Sequence, residues 1–170
     1  MTQAMRNSYH QLHLLEMVKN GLMLEEFLVK KANIDVRDEE GRSIFYWAIK
    51  KRSKHNVQLL MKYNAALMVK EELHALFHAI SSNDIETFIL LLEEKLLNID
   101  MQNHLGQTLL MKAIEKESVQ MVRYLINHGA HLYLEDEENK KAIDYAKETK
   151  DKRVYELVYY RILFEQLEGK

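Results

Sequence analysis

Apolar residues recur along the chain in short stretches that are separated by polar turns. Three of these stretches share one spacing: Val57, Leu60 and Met61; Phe88, Leu91 and Leu92; Val122, Leu125 and Ile126. The spacing matches the period of about 3.6 residues that gives an α-helix one apolar face. The pattern therefore predicts helices that each pack one face against a neighbour.

The helical pattern also returns at a nearly constant interval. Five residues occupy the corresponding place in successive copies: Leu15, Ala48, Ala79, Ala113 and Ala146. The intervals between them are 33, 31, 34 and 33 residues. A period of this length indicates a stacked repeat protein, in which each repeat buries its apolar face only against its neighbours. The small alanines predict close packing between those neighbours.

Short motifs accompany this period. The stretch that ends at the alanine reads SIFYWA at residues 43–48 and TLLMKA at residues 108–113. Turns rich in Asp, Asn and Gly flank the helical stretches: DEEG at 38–41, NHLG at 103–106, NHGA at 127–130 and DEEN at 136–139. These motifs resemble the Thr-Pro-Leu-His-x-Ala, Asp-x-x-Gly and inter-helix turn signatures of the ankyrin-repeat family. The chain departs from that pattern because it has no proline, which we expect to cost only modest rigidity.

The resemblance implies an all-α fold: an ankyrin-repeat solenoid of about five stacked helix-turn-helix repeats with short β-turn fingers and a long C-terminal helix. We expect a single domain over residues 1–170. Its repeats are expected at approximately residues 8–35, 36–68, 69–101, 102–134 and 135–168.

Individual residues predict where the helices begin. Ser43 and Thr108 stand just before helical stretches, where a hydroxyl can accept a hydrogen bond from an unpaired amide. Gly41 and Gly106 come two residues earlier and permit a positive φ in the turn. Each pair predicts a turn, a cap and a helix in that order.

Two places depart from the repeat. Between Asn64 and His74 the turn motif is missing, and Glu72 stands where a glycine is expected, so we predict a short or malformed hairpin there. After Leu92 the sequence EEKLLNID carries one extra residue, which we expect to lengthen the loop between two helices.

Composition narrows the class of partner. The chain has no cysteine, which excludes disulfides and thiolate metal sites and fits a cytoplasmic location. Its formal net charge of -2 offers no general attraction to nucleic acid. No apolar stretch approaches the length of about 18 residues that a membrane span needs, and the N-terminus lacks a secretion signal. We therefore expect a cytoplasmic protein that binds neither nucleic acid nor membrane.

Catalytic motifs are also missing from the sequence. It contains no glycine-rich phosphate loop, no cysteine nucleophile and no Gly-x-Ser-x-Gly motif, so we expect no enzyme activity. The resemblance implies a protein-protein interaction module that holds a protein partner on its concave face, without a cofactor or a metal.

Turn tips and the exposed sides of the inner helices line the concave face of such stacks. Aromatic and arginine side chains there are the usual anchors for a partner. On this basis we predict the following partner-binding residues: Arg37, Arg42, Trp47, Lys50, His78, His104 and Met111. Trp47 is the only tryptophan, and packing against the neighbouring repeat is its alternative role.

Charge is unevenly distributed along the repeats. KKRSK at residues 50–54 is basic, whereas EDEE at residues 135–138 is acidic. Such a separation can orient a charged partner. The simpler interpretation is that both runs only keep the turns solvated.

Two other functions stay open. His74 and His78 are four residues apart, a spacing that suits a metal, and with His104 they define a haem, metal or small-ligand carrier as one alternative. Residues 154–167 are rich in aromatics on more than one side of a helix. This segment caps the last repeat of a monomer or, as the second alternative, forms a homodimer.

Overall fold

The protein is mostly helical. The computed structural model describes residues 12–25, 29 and 33–169, and within this part residues 12–19 are helical. The helices that follow are α1 (Ile44–Lys50), α2 (Lys54–Lys62), α3 (Ala75–Ser81), α4 (Ile85–Glu94), α5 (Leu109–Glu115), α6 (Val119–Asn127), α7 (Ala142–Glu148) and α8 (Lys152–Leu167). The predicted all-α architecture is confirmed. The first predicted repeat, at residues 8–35, lies partly outside the described residues.

Contacts divide the chain into two compact units, Met1–Thr87 and Phe88–Lys170, with the boundary inside α4. In the first unit α1 packs against both α2 and α3. In the second unit α5 packs against α6 and α7, and α8 packs against the same two helices. The alternation of a short helix with a longer one follows the predicted period.

The alanines of the repeat lie at the centres of these contacts. Ala48, Ala79 and Ala113 are fully buried, and Ala146 is 1% exposed. The longer helices bury the predicted apolar face, because Val57, Leu60, Phe88, Leu91, Val122 and Leu125 are all fully buried. Small residues on the short helices let the next repeat approach closely enough to cover these faces.

The predicted N-caps are confirmed. Ser43 Oγ accepts a hydrogen bond from the Tyr46 amide at 3.1 Å, and Thr108 Oγ1 accepts one from the Met111 amide at 3.1 Å. At α5 the cap is reciprocal, since the Thr108 amide donates to Met111 Sδ at 3.3 Å. Both hydroxyls satisfy an amide that would otherwise lack a partner at the helix start.

The hairpin between Asn64 and His74 meets the first alternative of its prediction, a short hairpin, and not the second, a malformed one. It is short, but it is well formed, because β1 (Met68–Lys70) and β2 (Leu73–His74) pair antiparallel with one register irregularity. Glu72 adopts the positive φ of 55° that the missing glycine would have supplied. A side chain can occupy this conformation at some cost in energy, so the turn forms without the motif.

The extra residue near Leu92 also lies elsewhere than expected. Helix α4 has ten residues, whereas α2 and α6 have nine each, so the insertion lengthens the helix and not the loop. Near the end of this helix, the Glu93 carboxylate accepts a hydrogen bond from the Tyr124 hydroxyl at 2.9 Å.

The long C-terminal helix is present as α8, with 16 residues. Val154 and Val158 are buried against the second unit, whereas Tyr160, Phe164 and Leu167 are exposed. Among the described residues, no helix is long and apolar enough to cross a membrane.

Gly106 is needed in its hairpin for two reasons: its positive φ and its close approach to the backbone of the next hairpin. Gly41 and Gly106 both have a positive φ, 74° and 72°. A Cβ on Gly41 would meet nothing within 4 Å. A Cβ on Gly106 would lie 2.9 Å from both the Asp136 Cα and the Glu137 N, which is closer than van der Waals contact allows.

We therefore expect Gly106→Ala to lower the free energy of unfolding more than Gly41→Ala does. Each substitution costs about 1 kcal/mol because an L side chain disfavours this backbone conformation. At position 106 the clash with the next hairpin adds roughly 1–3 kcal/mol. Urea denaturation of the two variants and the wild type measures the difference. Equal losses would show that the neighbouring hairpin moves away without cost.

Candidate protein-binding surface

Trp47 lies on α1 beside the turn that precedes this helix. Its indole Nε1–H donates a hydrogen bond to Asp38 Oδ2 at 3.0 Å. The side chain is half-buried, so one part of the ring is fixed by the turn and another part meets solvent. A ring held in this way presents apolar area without losing rotamer freedom on binding.

Asp38 organises the turn itself. It accepts hydrogen bonds from the amides of Glu40 and Arg42 and from Arg42 Nε, at 3.0, 2.9 and 2.8 Å. Burial alone would raise the pKa of Asp38, but the hydrogen bonds from Arg42 and Trp47 and the positive charge of Arg42 lower that pKa to about 2. The carboxylate is therefore ionised at neutral pH and holds both side chains in place.

Cations surround the tryptophan ring. The Arg42 guanidinium carbon is 4.5 Å from the ring centroid, and the Lys50 and Lys19 ammonium nitrogens are 5.0 and 5.8 Å from it. These distances permit cation–π attraction. Carboxylates neutralise two of these cations: Asp38 and Glu40 pair with Arg42, and Glu16 pairs with Lys19 at 3.1 Å.

Arg37 flanks the same turn. Its two η nitrogens donate to the carbonyl oxygens of Gly41 and Met68 at 2.8 and 2.7 Å. The guanidinium therefore joins this hairpin to the next one. We use the name Trp47 surface for Arg37, Arg42, Trp47 and Lys50, four predicted residues that the first unit brings together.

His78 was predicted to contact a partner, and the structure corrects this. Its side chain is 6% exposed, its ring stacks on Tyr46 with centroids 4.0 Å apart, and its Nε2 donates to the Tyr46 carbonyl at 3.1 Å. Burial lowers the pKa of His78 to about 4, with a further lowering by the charge of Lys50, although the hydrogen bond to Tyr46 acts in the opposite direction. His78 thus packs against Tyr46 of α1.

Met111 is corrected for the same reason. It is 1% exposed, and its sulfur atom belongs to the cap of α5. His104, the remaining predicted residue, is exposed at the tip of the hairpin turn in the second unit. Met111 and His78 thus offer no surface to a partner, whereas His104 does.

The second unit contains a cavity of about 440 Å³ that the sequence analysis missed. Six carboxylate residues and one lysine are among its lining residues: Leu105, Gln107, Ile114, Glu115, Glu117, Asp136, Glu137, Glu138, Lys140, Tyr145, Glu148 and Thr149. The cavity is therefore acidic, unlike the Trp47 surface.

A polar network forms one side of this cavity. The Tyr145 hydroxyl donates to Asp136 Oδ2 at 2.5 Å and accepts from Gln107 Nε2 at 2.9 Å. Asp136 and Tyr145 are nine residues apart, as Asp38 and Trp47 are. This shared spacing was the signal in the sequence that could have identified Tyr145 as the equivalent of Trp47.

Two of the three histidines proposed for a haem or metal carrier, His74 and His78, have other roles. His74 Nδ1 accepts a hydrogen bond from the Leu76 amide at 3.2 Å and caps α3, while His78 Nε2 is engaged by Tyr46. Over residues 12–25, 29 and 33–169, no group of three or more His, Cys, Asp or Glu side chains could hold a metal ion. Among the contacts of the described residues, none favours this alternative.

Comparison with protein families gives two matches. A model described as ankyrin repeats (3 copies) matches residues 14–103, and one described as ankyrin repeats (many copies) matches residues 90–146. The first match alone covers more than half of the chain.

Two relatives illustrate how the chain compares with whole proteins. It is 30% identical over 156 residues to the putative ankyrin repeat protein FPV022 of Fowlpox virus (strain NVSL), which covers 88% of this chain and 26% of that protein. It is 27% identical over 132 residues to the nuclear factor NF-kappa-B p105 subunit of Gallus gallus, which covers 74% of this chain and 13% of that protein. The chain thus spans 26% and 13% of the length of these relatives.

The depressed pKa of His78 predicts a dependence of stability on pH. The unfolded chain takes up the proton near pH 6.5 and the folded chain only near pH 4, so stability is full above pH 6.5 and falls as the pH drops toward 4. Between about pH 7 and pH 5 this single group should lower the free energy of unfolding by about 2 kcal/mol.

His78→Gln should remove that part of the pH dependence, and urea denaturation at the two pH values measures it. His104→Gln, on an exposed turn, is the matched control. The assignment fails if both substitutions reduce the pH dependence by the same amount.

Proposed function

The chain belongs to the ankyrin-repeat family, and we propose that it is a protein-binding module whose Trp47 surface contacts the partner. Ankyrin repeats are protein-protein interaction modules, and the family is generally non-enzymatic. One observation carries the choice of surface: a half-exposed indole is locked by Asp38 and surrounded by arginine and lysine side chains.

The choice of face follows from the repeat. In stacked repeat families the turns and the short helices form the concave side that receives a partner. Arg37, Arg42, Trp47 and Lys50 all belong to such a turn or helix. The proposal also keeps four expectations from the sequence. The protein is cytoplasmic and monomeric, and it binds neither a cofactor nor nucleic acid.

Affinity on such a surface rests on few residues. Tryptophan and arginine dominate the binding energy of many interfaces, and polar residues around them exclude water. Because Trp47 and Arg42 are already ordered by Asp38, a partner would not have to restrict their rotamers on binding. A rigid side chain of this kind loses little conformational entropy on binding, so its contacts contribute more to the affinity.

Removal of the anchor tests the proposal. Peptides selected from a random displayed library on the wild-type chain should lose at least about tenfold in affinity for Trp47→Ala, because loss of a central aromatic commonly costs 2 kcal/mol or more. Isothermal titration calorimetry measures the change, and circular dichroism checks that the variant is folded.

Tyr160→Ala is the matched control, since it removes another exposed aromatic, from α8. The proposal is contradicted if the selection yields no binder, or if the selected peptides bind Trp47→Ala as tightly as the wild type.

A second candidate function has its own support. Helix α8 exposes five large apolar side chains: Tyr159, Tyr160, Leu163, Phe164 and Leu167. Apolar side chains gathered on one exposed helix are a feature of association surfaces. Self-association through residues 154–167 is therefore the alternative to a monomer that caps its own last repeat.

Sedimentation velocity distinguishes these two states. If α8 forms a homodimer, the sedimentation coefficient should fall from the dimer value to the monomer value when Tyr160 and Phe164 are both replaced by Ser. If the wild type sediments as a monomer at all concentrations, this alternative is wrong.

A further inference from the structure

We infer that the Trp47 surface recognises an acidic segment of a protein partner, with a carboxylate side chain against Lys50 or Arg37 and an apolar side chain on the exposed part of the Trp47 ring. This inference rests on the proposed function and adds the chemistry of the partner to it. It follows from which of the charges on the surface are already neutralised.

Arg42 is largely satisfied within the protein. Its Nε lies 2.8 Å from Asp38 Oδ2, and one of its η nitrogens lies 2.6 Å from Glu40 Oε2. Its side chain is only 17% exposed. Arg42 therefore acts as part of the frame that holds the indole, and a partner's carboxylate has to bind elsewhere.

Arg37 keeps its full charge. It donates to two carbonyl oxygens, which use N–H donors without cancelling the positive charge. A guanidinium has five N–H donors, so a carboxylate can still be bound by those that remain. Among the described residues, no acidic side chain forms an ion pair with Arg37.

Lys50 also keeps its positive charge. Its ammonium nitrogen lies over the Trp47 ring at 5.0 Å and is exposed, and no carboxylate of the described part of the chain pairs with it. Arg52, two residues further on, donates to the Ser82 carbonyl at 2.8 Å and likewise keeps its charge. The first unit therefore presents uncompensated cations near a half-buried indole.

The fold does not require this positive charge, as the second unit shows. Gln102 occupies the place of Arg37 and makes the same two bonds, to the carbonyl oxygens of Gly106 and Glu135. Glu117 occupies the place of Arg52, with the same φ of 52°. Glu115 stands two residues after Ala113, as Lys50 does after Ala48. Equivalent sites thus carry neutral or acidic side chains.

The surface favours a protein carboxylate over nucleic acid. Nucleic acid is held by a wide basic patch that contacts many phosphates. Here the free cations are few, one of them, Lys50, lies over a single indole, and the net charge of the chain is -2. A short acidic segment with an apolar residue matches both the number of charges and the aromatic face.

Trp47 itself supplies the measurement, because it is the only tryptophan of the chain. The probe is a synthetic peptide that alternates Glu and Leu. Its matched forms have Gln or Lys in place of every Glu, and a single-stranded oligonucleotide is a further arm. The Glu peptide should shift the tryptophan emission and bind at least about fivefold more tightly than the Gln form, with an affinity that falls as salt is added.

Two substitutions copy residues that the chain already uses at equivalent places. Lys50→Glu should weaken the Glu peptide by about fivefold or more, and Arg37→Gln should weaken it while keeping the bonds between hairpins. Lys54→Glu is the matched control: it makes the same charge change on α2, where Lys54 already pairs with Glu86.

The inference is overturned if the Gln or Lys peptide or the oligonucleotide binds as well as the Glu peptide. It is also overturned if Lys54→Glu weakens binding as much as Lys50→Glu, since only net charge would then matter. If the selected peptides need Trp47 for binding but contain no acidic residues, the inference is contradicted and the proposed function is still supported.

Discussion

The structure depends on a constraint that every repeat shares: no pair of helices can bury its apolar face alone. Ala48 and Ala113 are fully buried where one repeat meets the next, and Val57 and Val122 are fully buried beneath the contact. Burial of apolar area is the main source of stability in folding, so these positions are fixed in size and polarity. The turns and the outward sides of the short helices are not under that constraint. They are free to carry function.

The turn acid connects the fold to the candidate site. Asp38 and Asp136 each bind two backbone amides of their own turn, and each also accepts a hydrogen bond from an aromatic side chain nine residues later. The first set of bonds builds the hairpin, and the last bond sets the direction of Trp47 or Tyr145. Because one carboxylate has both roles, the anchor residue is positioned by the same interaction that shapes the turn.

The sequence determined the parts of this structure that follow from local rules. Ser43 and Thr108 were identified as caps because a hydroxyl before a helical stretch has few other roles, and the alanine spacing identified the contacts between repeats. His78 was misplaced because sequence spacing does not show that its ring stacks on Tyr46 and is buried. The acidic cavity was missed because its residues come from two repeats, and sequence spacing does not show how side chains converge.

The contrast between the two units bears on how such a chain selects a partner. Specificity is a difference between affinities, and repulsion of the wrong ligand contributes to it as much as attraction of the right one. Lys50 and Glu115 occupy equivalent sites with opposite charge, and Glu115 already pairs with Lys112, so the site of Lys50 is the one that is left with a charge for an acidic segment. The burial constraint leaves these sites free, which means that charge can change from repeat to repeat while the stack keeps its packing.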